Sequence, residues 1–131
     1  MNKSEIKSLR SLIGKLNWVT TQTRPDIAFD LRVLASRMHE GTVKDIVEAN
    51  KLLKRTKSEE VLIKFPKLKN LEQCKLVVYS DSSYANLKDC GSQGARVIFL
   101  VDEENKAALL NWNSKRLRRV VRSTLTSETL A

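Results

Sequence analysis

A chain of 131 residues, 41% hydrophobic and 30% charged, with a formal net charge of +9, has the composition of one globular domain or two small ones and is too apolar for a disordered segment. No apolar run approaches the roughly 18 residues of a membrane span, and the polar N-terminus MNKSEIKSLRSL lacks the apolar core of a secretory signal, so neither a membrane partner nor secretion is expected. Cys74 and Cys90 are too few for a disulfide scaffold or a cysteine zinc site and read as free thiols of a reducing, intracellular compartment, cytoplasmic or nuclear.

The first half has helical periodicity. Ile6, Leu9, Ile13, Leu16 and Thr20 share one face, with Leu12 and Val19 beside them. Thr23 and Asp26 bracket Pro25 as a T-x-x-D start signal, with proline in the first turn where its missing N–H costs nothing. Ile27, Leu31, Leu34 and Met38 follow at i, i+4, i+7 and i+11, and Gly41 is expected to end that helix. Thr42 and Asp45 repeat the start signal, and Val43, Ile46, Asn50 and Leu53 form the stripe of a third helix ending near Lys57. Residues 1–58 thus read as three short helices.

Beyond residue 58 the period changes. VLIKF (61–65) is a short strand candidate within a polar connector, 59–74, built around Pro66. LVVYS (76–80), RVIFLV (96–101) and AALLNW (107–112) read as strands, with turn-like DCGSQG and DEENK between them. Three consecutive strands with short connections predict an antiparallel meander, and a helix is expected from about Thr124. The expected fold class is α+β: a helical segment over 1–58, then a three-stranded meander and the start of a helix over 75–131. Such a sheet has an unpaired edge and an under-covered face.

Two carboxylates and one basic cluster carry the candidate chemistry. Asp81 closes the apolar run Leu76–Tyr79, and Glu128 sits in STLTSETLA, in the first turn of the last helix. A carboxylate on a strand and another on the next helix is how two-metal nucleases hold Mg²⁺. Cations roughly 3.5–4 Å apart need converging oxygen ligands and clamp both oxygens of an in-line phosphoryl displacement. Without a wider context Asp81 also reads as a turn-opening aspartate, and Glu128 as a first-turn glutamate favoured by the helix dipole. Three residues follow Glu128, so any further ligand of such a site is expected outside this sequence.

The positive charge favours polyanionic partners and is uneven: residues 1–70 carry fifteen Lys/Arg against eight Asp/Glu, and residues 71–131 carry nine against seven. Five of those nine, Lys115, Arg116, Arg118, Arg119 and Arg122, are candidate contacts to the phosphates of a nucleic acid or another polyanion, and read equally as a solvated connector. Trp18 and Trp112 could stack bases, but each ends or interrupts an apolar run, so core or rim packing is expected. Asp89 and Asp102–Glu103–Glu104 fall in turns and are expected to be solvated. His39 is the only histidine and is expected in the last turn of the second helix beside Arg37, where a C-terminal cation is ordinary. Ser80, Ser82 and Ser83 therefore have no base that would make a nucleophile of them.

The order of three strands, then a helix, with Asp on the first strand and Glu on the helix, resembles the opening half of the ribonuclease H fold. The wording resembles one branch of it, the copia-type (Ty1/copia) retrotransposon Pol polyproteins, over nearly the whole chain. LIGKLNWVTTQTRPDIAFDLRVLAS (12–36) is similar to the segment that links reverse transcriptase to RNase H in that family. YSDSSYANLKDCGSQG (79–94) and LLNWNSKRLRRVVRSTLTSETLA (109–131) are similar to its first two nuclease stretches, with Arg96 and Cys90 as departures. The resemblance implies that Asp81 and Glu128 correspond to the first two acidic Mg²⁺ ligands of a nuclease cutting RNA in RNA–DNA hybrids. It also implies two further aspartates that the chain does not reach, and the remainder of the Pol polyprotein as a partner. The isolated chain is then expected to be inactive. The alternatives are a non-enzymatic basic nucleic-acid-binding module and a truncated, non-functional product of an integrated element.

Overall fold

The computed structural model describes residues 1–38, 41–84, 91–117, 123, 125 and 128. They form two compact units, Met1–Leu62 and Ile63–Ala131. The architecture is α+β, helices first and then a three-stranded antiparallel sheet.

In the helical unit, α1 (Lys3–Gln22), α2 (Ala28–Ser36) and α3 (Val43–Ser58) close around one core. Leu9, Ile13 and Leu16 from α1 meet Leu31 and Leu34 from α2 and Ala49 and Leu52 from α3, with Ile27 fully buried at the entry to α2. In α1 and α2 the spacing of these residues is the helical stripe the sequence predicts, and burial in all three helices supplies most of the drive for them to form. Two capping boxes fix helix starts. Asn2 and Glu5 exchange hydrogen bonds at α1, both 2.8 Å. Thr42 and Asp45 do so at α3, where the Asp45 carboxylate accepts from both the backbone N–H and the hydroxyl of Thr42.

Four expectations for this half are corrected. The T-x-x-D at Thr23–Asp26 is not a cap: Pro25–Ile27 forms a 3₁₀ turn, Thr23 ends α1, and the Asp26 carboxylate is taken by the Arg24 guanidinium. Of the expected α3 stripe, Ile46 and Leu53 are half-buried against the core, but its buried residues are Asp45, Ala49 and Leu52, and Val43, 66% exposed, and Asn50 face outward. A capped aspartate and an alanine are invisible to an apolar count, yet Ala49 is fully buried at the helix contact. α2 stops at Ser36, before Gly41, which has no left-handed φ. Trp18 is 67% exposed, because it lies about 160° around α1 from Leu16, opposite the buried arc.

In the second unit β1 (Lys75–Ser83), β2 (Gln93–Val101) and β3 (Ala107–Arg116) pair in the order β1-β2-β3, the meander the sequence predicts. Register sets Asp81 opposite Ala95 and Ser114 opposite Ala95 on the other side; a bulge beside Ile98/Phe99 leaves Leu110 without a cross-strand partner. VLIKF is not a strand; residues 61–68 are irregular. An extended segment without a neighbouring ladder has nothing to hold it as one. Asp102 is also unlike its expectation. It is buried in the β2–β3 turn, where its carboxylate accepts the backbone N–H groups of Lys69, Glu104 and Lys106 at 3.0, 3.0 and 2.8 Å. A tight turn leaves inward N–H groups in need of an acceptor, and Asp102 supplies it. Among the described residues no helix is long and apolar enough to cross a membrane.

Candidate functional site

β1 brings Asp81 to the polar end of the sheet. Its residues alternate faces, so Asp81 and Ser83 project to the same side as Gln93, Ala95, Ser114 and Arg116 on the neighbouring strands. The Asp81 side chain is exposed and accepts the N–H of Ser82 at 2.8 Å. Beside it lies a buried polar pair, Gln93 donating to the Ser114 hydroxyl at 2.7 Å, while the Ser83 hydroxyl donates to the Gln93 carbonyl at 3.3 Å. These bonds tie the three strands at the level of Asp81 and hold its backbone in place.

Of the basic cluster, Lys115 and Arg116 are exposed at the end of β3 and point to opposite faces. Arg116 shares the face of Asp81, two strands across and one step along, a Cα separation of about 12 Å from sheet spacings. Its guanidinium lies over Gly91: a Cβ there would stand 2.9 Å from one Arg116 nitrogen. The missing side chain at 91 gives the arginine its seat. Arg118, Arg119 and Arg122 lie outside the described residues, as do His39, Asp89 and Cys90. Glu128 is helical and exposed. No group of three His, Cys, Asp or Glu that could hold a metal occurs among the described residues. Asp81 and Glu128 each present an exposed carboxylate.

A second cationic surface escaped the sequence reading. Lys7, Arg10, Gly14 and Trp18 fall at i, i+3, i+7 and i+11 along α1, on the face opposite the core, with Lys15 beside them. All five are exposed, and the space around Gly14 is open for 4 Å. A flat indole with cations along one helix face can stack a base and meet the adjoining phosphates. The signal was present in the spacing, since Trp18 is out of phase with Leu9, Ile13, Leu16 and Thr20.

Arg24, within the TRPD segment, proves to be structural. It is buried, grips Asp26 through two 2.8 Å bonds, and donates to the carbonyls of Thr56 and Glu59 at 2.5 and 3.0 Å. Those carbonyls belong to the C-terminal end of α3, where a cation also suits the helix dipole. The hydrogen bond from Arg24 holds the Asp26 carboxyl below its ordinary range, against the opposing effect of burial. Asp45 is likewise low: burial pushes it up, and the Thr42 hydroxyl and N–H more than offset that. Asp102 is lowered first by the Lys69 N–H.

The chain matches no family model, no curated protein and no solved structure.

Proposed function

We propose that the chain is part of a copia-type retrotransposon Pol polyprotein, spanning the reverse transcriptase–RNase H junction and the first half of the nuclease, and that it holds RNA–DNA hybrid through its phosphates. The observation that supports this best is the meander itself. Its first strand carries an exposed Asp81 at the polar end, on the face shared with Arg116, and a helical Glu128 follows the third strand. That is the arrangement the resemblance in TRPDIAF, YSDSSYA and WNSKR implies. Lys115 and Arg116 neutralise phosphates, which gives affinity without sequence preference. Asp81 and Glu128 are the ancestral Mg²⁺ ligands of the proposal, and among the described residues no group of three His, Cys, Asp or Glu forms around them. The proposal is therefore of a nuclease ancestry and a binding role, with cleavage left to a longer chain.

A non-enzymatic binding module is the second reading, favoured by the outer face of α1, where Trp18, Lys7, Arg10 and Lys15 need no metal to contact a strand. Both readings are tested by titrating labelled hybrid and single strands across a salt series, with and without Mg²⁺. Binding that weakens steeply with salt is expected, and Arg116→Ala should lower the slope by about one ion. Salt-independent binding, or none at low salt, refutes both. Mg²⁺-dependent cleavage should appear when the chain is extended by its further aspartates and vanish with Asp81→Asn; an extended chain that never cleaves leaves the binding module. Hybrid cleavage by the 131 residues themselves, lost in Asp81→Asn, would mean that the donor set is complete after all.

A further inference from the structure

We infer that the outer face of α3 is a seat for the phosphate backbone of a duplex, the RNA–DNA hybrid of the proposed function, on which this inference rests. Lys44, Lys51, Lys54 and Lys57 are all exposed and fall within about 140° of the helix surface, over a length of about 20 Å. The two acidic residues of α3 lie outside that arc, and both are engaged: Asp45 with the Thr42 hydroxyl, and Glu48 with the Arg37 guanidinium at 3.2 Å. Among the described residues none of the four lysines forms an ion pair. Taking unpaired ammonium groups out of water under a protein layer is costly, whereas a nucleic acid neutralises them and releases its counterions.

The same arc is hollowed. Asn50, Leu53, Lys54, Lys57 and Ser58 line an open depression of about 400 Å³. Lys54 and Lys57, three residues apart, are neighbours on the helix surface, so the depression gathers two ammonium groups, an amide and a hydroxyl. Those are donors for the oxygens of a phosphate. The negative end of the helix dipole opposes an anion here, but Arg24 donates to the carbonyls of Thr56 and Glu59 and counters it. The side chains between the lysines, Val43, Val47, Asn50 and Ser58, include no aromatic ring on which a base could stack. The occupant is therefore a duplex, which keeps its bases stacked inside and presents one charge per about 1.7 Å of axis, whereas Trp18 on α1 suits a single strand.

Salt titrations of labelled hybrid and of labelled single strand with the 131-residue chain test it, with circular dichroism confirming that each variant keeps its fold. Lys54→Ala combined with Lys57→Ala should lower the hybrid salt slope by about two and move the single-strand slope by less than about 0.5. Both lysines are exposed on a helix, where alanine is favoured, so the change does not threaten the fold. Lys64→Ala combined with Lys67→Ala removes the same charge from exposed positions outside α3 and should lower the hybrid slope by less than about 0.5. An unaltered hybrid slope in the α3 variant, an equal drop on single strands, or an equal drop in the Lys64 and Lys67 variant each overturn the seat while the native chain still binds hybrid. A native chain that does not bind hybrid overturns the proposed function, and the seat with it.

Discussion

Truncating Arg24 to alanine should destabilise the helical unit by about 3 kcal/mol, a sum that follows from what the guanidinium touches. Its two bonds to Thr56 and Glu59 satisfy carbonyls at the end of α3, and an acceptor stripped of its partner in such a part-buried setting costs about 1 kcal/mol, the low end of the range for buried groups. The pair with Asp26 adds less, because that carboxylate is 28% exposed and can rehydrate when the arginine is gone, so about 1 kcal/mol is the most it contributes. A unit of this size has a total stability of only about 3–9 kcal/mol, so the loss removes a third or more of it. At about 4–8 °C per kcal/mol for so small a unit, the helical melting transition should fall by roughly 15 °C. Arg24→Lys keeps the charge but replaces a planar fork with a point donor that cannot serve a carboxylate and two carbonyls together, so it should lose about half as much. The assay is urea unfolding followed by helical circular dichroism, with Asp26→Ala and the double variant closing a mutant cycle. A loss below about 0.5 kcal/mol for Arg24→Ala, or a lysine variant as stable as the native chain, would refute the clamp.

Trp18→Ala should lower affinity for single-stranded nucleic acid about tenfold, the loss of one stacked base, while leaving the melt unchanged because the indole is exposed; unaltered affinity would remove α1 from the interface. Replacing Lys115 and Arg116 together should weaken binding to every sequence alike and lower the salt slope by about two, and an unaltered slope would make them a solvated strand end. Asp26, Asp45 and Asp102 all have lowered pKa values, so the unfolded chain binds protons first as pH falls. Their contribution is present above the unfolded value of about 3.9 and is lost as pH drops through the lower folded values. Asp102→Asn, which keeps one acceptor oxygen and no charge, should make the sheet's acid unfolding shallower; an unaltered acid midpoint would show that the turn does not depend on the carboxylate.

What the sequence made legible follows from what its patterns encode. Stripes of leucine and isoleucine located α1 and α2, and apolar runs, β-branched in β1 and β2 and leucine-rich in β3, located the three strands, because burial on one helical face or on a pleated surface is what those patterns report. Their extents were short at both ends: Asp81 to Ser83 and Asn113 to Arg116 are strand residues that read as turn or connector, since polar residues continue a ladder once neighbours fix the register. Failures cluster where a polar side chain does structural work over distance. Nothing in TRPD says that the arginine reaches Thr56 and Glu59, more than thirty residues away, or that Asp102 closes onto Lys69. Position along the sequence gave Asp81 and Arg116 as separate candidates; only the register puts them on one face.

The sheet is divided along its length, and that division bears on the proposed reading. One half is apolar on both faces: Val77, Tyr79, Val97, Phe99, Leu109 and Trp112 on one, Leu76, Val78, Ile98 and Leu100 on the other, with the Tyr79 and Phe99 rings meeting edge to face at 6.1 Å. Strands without alternation of polar and apolar residues are those of sheets covered on both sides, not of sheets with one wet face. The other half, from Ser80 to Ser83, Gln93 to Arg96 and Asn113 to Arg116, holds every serine of the three strands and every charged side chain except Lys75. A covered sheet can display ligand-binding groups only where its strands emerge, at an end, and Asp81 and Arg116 both lie at that end. The apolar half therefore calls for layers on both faces, and the polar half is what those layers would leave open to a phosphate backbone.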